Sequence, residues 1–110
     1  LRSRGLGDVY KRQDMSNMFN GSNAKLLDLS SFDTSKVTDM SNMFADSVNL
    51  KTIYSSNKFN TDTVTDSTSM FNSCRSLVGG LGTKYDSTKV DKTYARIDGG
   101  TSNPGYFTSK

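Results

Sequence analysis

Aspartate is the residue type with the most catalytic potential in this sequence. All 11 acidic residues are Asp, and the 110 residues include no Glu and no His, the commonest general base. Paired carboxylates can hydrolyse glycosidic bonds. Asp33, Asp39 and Asp66, however, recur in register with a repeated motif, as structural residues do. The sequence therefore predicts that the protein is not an enzyme, with a carbohydrate-active or carbohydrate-binding domain as the alternative.

Three other segments could hold a nucleophile, a phosphate group or a metal ion. Cys74 has no His to activate it, and buried packing is the favoured interpretation. GGLGTK (79–84) lacks the Gly-Lys-Ser/Thr order of a phosphate-binding loop, which favours a glycine-rich turn. DTSKVTD (33–39) lacks the spacing and the Glu of an EF-hand, which favours helix capping. We therefore predict no catalytic residue, no cofactor and no metal site.

An internal repeat dominates the remaining pattern. DMSNMF begins at Asp14 and again at Asp39, 25 residues later, and a weaker copy, DSTSMF, begins at Asp66, a further 27 residues on. A period of this size is the signature of a repeat array. Each of three related segments runs from an aromatic residue through polar residues to Val and then Thr or Asp: FDTSKVT (32–38), FNTDTVT (59–65) and YDSTKVD (85–91).

The spacing of apolar residues around the hexapeptide predicts a short helix. Val37, Met40 and Met43 stand at i, i+3 and i+6, and Phe44 follows at i+7, so they would share one helix face. Thr38 would be the N-cap of this helix. Packing in the core is the favoured role for the Met and Phe side chains, ahead of a cofactor site.

A short strand is predicted after each helix. In KLLDLSSF (25–32), Leu27 and Leu29 lie on one side and Leu26, Asp28 and Ser30 on the other, and in LKTIYSS (50–56) Ile53 is the inward residue. The outward positions form a candidate protein-binding face. Tyr54 is its strongest candidate, because an exposed aromatic among small polar residues resembles an interface hot spot, although filling a gap in the longer second unit is an equal alternative. The predicted face consists of Asp28, Ser30, Thr52 and Tyr54.

These elements predict an α/β repeat solenoid of the leucine-rich-repeat type, with short parallel strands, short helices and about 25 residues per unit. Stacking is required because one strand and one helix cannot bury their apolar sides alone. The chain supplies about three units, the first truncated. The predicted core consists of Met15, Met18, Phe19, Leu27, Leu29, Val37, Met40, Met43, Phe44, Leu50, Ile53, Val64, Met70, Phe71 and Leu77.

The end of the chain predicts a cap. TYARID (93–98) alternates like a strand, GGTSNPG (99–105) contains turn-forming residues, and YFT (106–108) can return as a second strand. We therefore predict a capping β-hairpin over residues 92–110, after a repeat region over residues 14–91. Such a cap would cover the apolar surface and unpaired strand edge at the end of the array.

The net charge of +3 is confined to the first 13 residues, since residues 14–110 hold ten basic and ten acidic residues. This location argues against a nucleic-acid partner. DVYKRQ (8–13) can be encoded by the mosaic-end sequence of a transposase-based sequencing adapter, and SRGLG (3–7) fits the preceding adapter bases. We therefore interpret residues 1–13 as a disordered, adapter-derived leader. The native part is then expected to begin inside a repeat, as a fragment.

FDTSKVTDMSNMFADSVNLKTI (32–53) and MFNSCRSL (70–77) resemble the repeat of the BspA-like leucine-rich-repeat surface proteins of bacteria. The segment from Gly82 to Phe107 resembles the one that closes such arrays, so the resemblance covers roughly residues 14–107. Tyr54 and Ser55 depart from it, since the first unit has Asp28 and Leu29 there.

The resemblance implies a non-catalytic protein-interaction module of a cell-surface or secreted bacterial protein, with adhesion to host or neighbouring-cell proteins as its function. Its partners would be extracellular or host-surface proteins, with no nucleic acid and no direct membrane insertion. A single Cys suits an extracellular bacterial protein that does not rely on disulfides. A passive surface spacer is a further alternative.

Overall fold

The computed structural model describes residues 14–110. Its regular elements are three short β-strands: β1 (Leu26–Leu29), β2 (Thr52–Ser55) and β3 (Phe107–Ser109). Two single-turn 3₁₀ helices, Lys92–Tyr94 and Gly100–Ser102, lie between β2 and β3. The strands form one parallel sheet in the order β1-β2-β3. The segment interpreted as an adapter-derived leader, 1–13, lies outside the described residues.

The prediction of an α/β repeat solenoid of the leucine-rich-repeat type is wrong. Residues 14–110 contain no α-helix, and the sheet has three strands of three or four residues in a small globular domain. The hexapeptides form successive turns in place of helices. Each turn has two residues at positive φ, four positions apart, one inside the hexapeptide and one two residues after its end, which a right-handed helix does not allow. These left-handed residues are Asn17 and Gly21, Asn42 and Asp46, and Ser69 and Ser73.

Backbone hydrogen bonds explain why the turns are stable without a helix. The N–H of Met40 donates to Asp66 O at 2.8 Å, and the N–H of Phe44 donates to Met70 O at 2.9 Å, both in the next repeat. Between them, the N–H of Met43 donates within its own turn to Met40 O at 3.2 Å. Donors therefore alternate between the neighbouring repeat and the local turn.

The left-handed turn at Asn42 gives a direct test of this backbone. Asn tolerates the observed φ of 55°, whereas a β-branched side chain clashes with the backbone there. Asn42→Val is expected to lower the free energy of unfolding by about 2 kcal/mol, while Asn42→Gly leaves it nearly unchanged. Urea denaturation of both variants measures the difference. Equal stability of the Val and Gly variants would contradict the turn conformation.

The three phenylalanines that end the hexapeptides form a stack through the core. The Phe19 and Phe44 rings are 5.7 Å apart with an interplanar angle of 8°, and the Phe44 and Phe71 rings are 5.3 Å apart at 6°. Among the residues predicted as core, Met18, Phe19 and Leu27 are partly buried against it. The others are buried: Met15, Leu29, Val37, Met40, Met43, Phe44, Leu50, Ile53, Val64, Met70, Phe71 and Leu77.

The predicted C-terminal hairpin is also wrong. Lys92–Tyr94 forms a 3₁₀ helix, started by Asp91, whose carboxylate accepts a hydrogen bond from the Thr93 N–H at 2.9 Å. β3 runs parallel to β2, with Phe107 beside Ile53, so it joins the sheet directly. Tyr106 holds this end in place: its ring packs edge-on against Phe71 at 4.9 Å, and its hydroxyl donates to Lys89 O at 2.9 Å. The tail therefore completes both the sheet and the core.

Candidate protein-binding face

The outer face of β1 and β2 brings most of the predicted binding residues together. Alternation along each strand places Leu29 and Ile53 in the core and turns Asp28, Thr52 and Tyr54 outward. The parallel register sets Asp28 beside Tyr54 on the neighbouring strand. Ser30, the fourth predicted residue, follows β1 in a turn, where its N–H donates to Asp28 Oδ1 at 3.0 Å. Ser30 therefore orients Asp28.

Lys110 belongs to this face, although the sequence analysis did not include it. Its Nζ lies 2.5 Å from Asp28 Oδ2 and 5.2 Å from the centre of the Tyr54 ring. The Lys110 N–H also donates to Ser55 O at 3.1 Å, which continues the alignment of β3 along β2. No motif identifies Lys110, because it is 82 residues from Asp28 in the sequence and is placed only by β3.

The charges on this face are mutually stabilised but remain open to water. The hydrogen bond from Lys110, followed by those from Ser30, holds the pKa of Asp28 well below its usual range. The same contact with Asp28 raises the pKa of Lys110. The Asp28 side chain remains 40% exposed and the Lys110 side chain 53% exposed. A pair so exposed contributes little to folding, since solvent screens it, and both groups remain available to a partner.

Backbone from a neighbouring loop limits the face at β3. A Cβ atom placed on Gly80 would lie 3.2 Å from Thr108 Cγ2, so this loop lies directly over the outward side chain of β3. At the opposite side, Leu26 of β1 is 49% exposed and shares the outward direction of Asp28. The open face therefore comprises β1, β2 and the Lys110 side chain, with an apolar residue, an aromatic ring and both charges.

Comparison with known protein families gives a match that covers most of the chain. Residues 7–105 match the family described as Mycoplasma protein of unknown function, DUF285. The chain belongs to the DUF285 family. The match includes Asp28 and Tyr54, ends before Lys110, and begins inside the segment that we interpret as adapter-derived. No curated protein and no solved structure gives a significant match.

The glycine-rich loop of this DUF285 domain (79–84) binds a carboxylate of the same chain, that of Asp98. The Asp98 carboxylate, in a residue only 5% exposed, accepts hydrogen bonds from the N–H groups of Leu81, Thr83 and Gly100 at 2.9–3.0 Å. The Thr83 hydroxyl donates to it as well, at 2.8 Å. A Cβ atom on Gly79 would collide with the carbonyl oxygen of Gly105, so Gly79 permits this close packing. The loop is thus a structural clamp around Asp98.

The other residues considered for chemistry have local structural partners in the DUF285 domain. Asp39 Oδ1 accepts hydrogen bonds from the Ser41 N–H and hydroxyl at 2.9 and 2.7 Å, and Asp66 and Asp33 accept from the residue two positions on. Cys74 is buried, and its thiol donates to Phe44 O at 2.9 Å; burial raises the pKa of that thiol to about 11. These contacts assign the side chains to turns and packing.

The described part of the DUF285 domain, residues 14–110, contains no metal-binding cluster and no ligand pocket. Residues 14–110 bring no three His, Cys, Asp or Glu side chains together in a way that could hold a metal ion. No pocket opens between their side chains. Within the same range, no helix has the length and apolar character needed to cross a membrane. The outer face of β1 and β2 is therefore the best-supported candidate site.

Proposed function

We propose that this domain is a non-catalytic protein-interaction module whose binding face is the outer side of β1 and β2. The position of Tyr54 carries the proposal. Tyr54 lies on the central strand, half-buried, with Thr52 on its own strand and Asp28 on the neighbouring one. A tyrosine in such a setting offers a large, rigid contact area at low entropic cost, and tyrosine is enriched among binding hot spots.

We further propose that this protein is a bacterial surface or secreted protein related to the BspA-like group, and that its partners are extracellular or host-surface proteins. The resemblance of residues 32–53 and 70–77 to that group supports this location. The proposal concerns kinship and location, and it does not include a leucine-rich-repeat architecture. The single, buried Cys is compatible with an oxidising compartment.

Tyr54→Ser tests the proposed face. Beads coated with the variant are expected to adhere to immobilised matrix proteins roughly thirtyfold more weakly than beads coated with the unchanged chain, as expected for a hot-spot residue. Thermal unfolding should change little, because replacing an outward strand residue alters strand preference by at most about 1 kcal/mol. Adherence and melting temperature are measured on the same preparations.

Val48→Ser is the matched control, since Val48 is an apolar residue that is 45% exposed and lies outside the sheet. It should leave adherence unchanged. Unfolding of the Tyr54→Ser variant would make Tyr54 a packing residue and contradict the proposal. Intact adherence with intact stability would move the site elsewhere or favour a passive spacer. Adherence that free sugars abolish would favour the carbohydrate-binding alternative.

A further inference from the structure

The open face holds a positive charge in a defined position. The Lys110 ammonium group donates a hydrogen bond to Asp28 Oδ2 and lies over the Tyr54 ring, within the distance of a cation–π contact. Two different attractions therefore converge on one ammonium group. The register of β1 and β2 makes Asp28 and Tyr54 neighbours, so their backbone positions are set without Lys110.

A carboxylate beside an aromatic ring is suited to a cation that can also donate hydrogen bonds. The carboxylate needs an N–H donor, which excludes a quaternary ammonium group as the best ligand. Leu26, exposed on the same side of β1, offers an apolar contact for the methylene groups of a long basic side chain. This combination fits the side chain of a lysine or arginine.

Lys110 is a weak occupant. Its side chain is 53% exposed, and only one carboxylate oxygen and one ring hold it. Because an exposed ion pair is weak, another cation can replace one of its members at little cost. A ligand with several basic side chains or further contacts can therefore displace Lys110 without unfolding any element.

Resting on the function proposed above, we propose that the protein partner of this face inserts a lysine or arginine side chain between Asp28 and Tyr54. In the free domain, Lys110 occupies that position and competes with the partner. The partner surface is consequently basic at the contact. Asp28 supplies the charge recognition, and Tyr54 supplies both the cation–π contact and the hot-spot area.

The competition sets the expected size of the effect of Lys110. If Lys110 fills the site for about two-thirds of the time, it lowers the apparent affinity of a competitor about threefold. Lys110→Ala is therefore expected to bind a basic probe about threefold more tightly than the unchanged chain. The variant keeps the backbone hydrogen bond to Ser55, so β3 is retained.

The probe is an acetylated and amidated tetralysine peptide, added to the 110-residue chain and followed through the NMR signals of the Tyr54 ring. The ring signals should shift on binding, and the same peptide with every lysine acetylated should leave them unmoved. Asp28→Asn in the Lys110→Ala background should abolish the gain in affinity. Lys36→Ala, which makes the same change in net charge at an exposed position outside the sheet, should not produce it.

Equal affinities of the Lys110→Ala and Lys36→Ala variants would overturn the proposal, and so would binding that leaves the Tyr54 signals unchanged. A tetramethylammonium salt that shifts these signals as strongly as tetralysine would overturn the preference for an N–H donor. Failure here is distinct from failure of the proposed function. If tetralysine does not bind but adherence still depends on Tyr54, the face binds a partner without a basic contact.

Discussion

Phe44→Ala is expected to lower the free energy of unfolding by about 3–5 kcal/mol, a large part of the roughly 5–15 kcal/mol that stabilises a small domain. Phe44 is fully buried between Phe19 and Phe71, and the edge of its ring contacts Phe107 at a centroid distance of 6.3 Å. Its removal leaves a cavity at the centre of the stack and separates the other rings. Urea denaturation followed by circular dichroism measures the loss.

Two further variants define what this result means. Phe44→Leu keeps most of the volume and should cost clearly less than Phe44→Ala. Val48→Ala removes an apolar side chain from the surface and should change stability by no more than about 0.5 kcal/mol. A loss below about 1 kcal/mol for Phe44→Ala would show that the stack is not the core of the domain.

Asp98→Ala is the second variant with a large expected effect, a loss of about 3 kcal/mol or more. It removes the acceptor for three backbone N–H groups and one hydroxyl, and these partly buried donors lose a charged partner. Asp98→Asn retains one acceptor oxygen and should be less harmful. An Asp98→Ala variant as stable as the unchanged chain would contradict the clamp described for the glycine-rich loop.

The pH dependence of stability provides an independent check on Asp98. Burial raises the pKa of Asp98, but the hydrogen bonds from Thr83, Gly100 and Leu81 outweigh it and lower the pKa to about 2. A carboxyl with a folded-state pKa below its unfolded value of about 3.9 stabilises the fold fully above that value. The contribution is lost as the pH falls from about 4 to about 2.

The Asp98→Ala variant should therefore lose less stability than the unchanged chain over this pH range. Denaturation midpoints at pH 6, 4, 3 and 2 measure the difference. Asp28, Asp33, Asp86 and Asp91 also have a lowered pKa, so both proteins should still weaken in acid. Parallel acid profiles would show that Asp98 does not titrate as an ion held by the loop.

Repetition made part of this fold predictable. Met43 and Phe44 recur at the same place in each repeat, and the burial of these positions in the second and third repeats follows from the pattern, whereas Met18 and Phe19 in the first are partly buried. The strand segments were predictable for a related reason: alternation in LLDL and around Ile53 separates an inner from an outer face. Asp28 pairs with Tyr54 because the two residues hold equivalent places in neighbouring repeats.

The conformation of the hexapeptide was not predictable from spacing. Positions i, i+3 and i+7 suit one face of a helix, and they equally suit turns whose residues at Asn42 and Asp46 are left-handed. Asn at the first of these positions is the available signal, because it tolerates positive φ better than most residues. The Asn residues at positions 17 and 42 thus favour a left-handed turn over a helix.

The tail was unpredictable because tertiary contacts determine it. TYARID alternates like a strand, but its first two residues belong to a 3₁₀ helix and its last, Asp98, is bound by the glycine-rich loop. The strand that follows, β3, pairs with β2. Lys110 reaches the candidate face only through that pairing. Ser55 is a similar case: it is buried where the first unit has Leu29, and its hydroxyl has no hydrogen-bond partner within residues 14–110.

The parallel pairing of β2 with β3 also determines how far apart in the chain the contacting segments are. Bridges between the hexapeptides join residues 25 and 27 positions apart, whereas Ile53 and Phe107 are separated by 54. Doubling a loop adds about 0.6 kcal/mol to the entropy cost of closing it. We therefore expect neighbouring repeats to associate before the last strand docks. For contacts this far apart in the sequence we expect folding in about milliseconds to seconds, with the contact between Lys110 and Asp28 formed last.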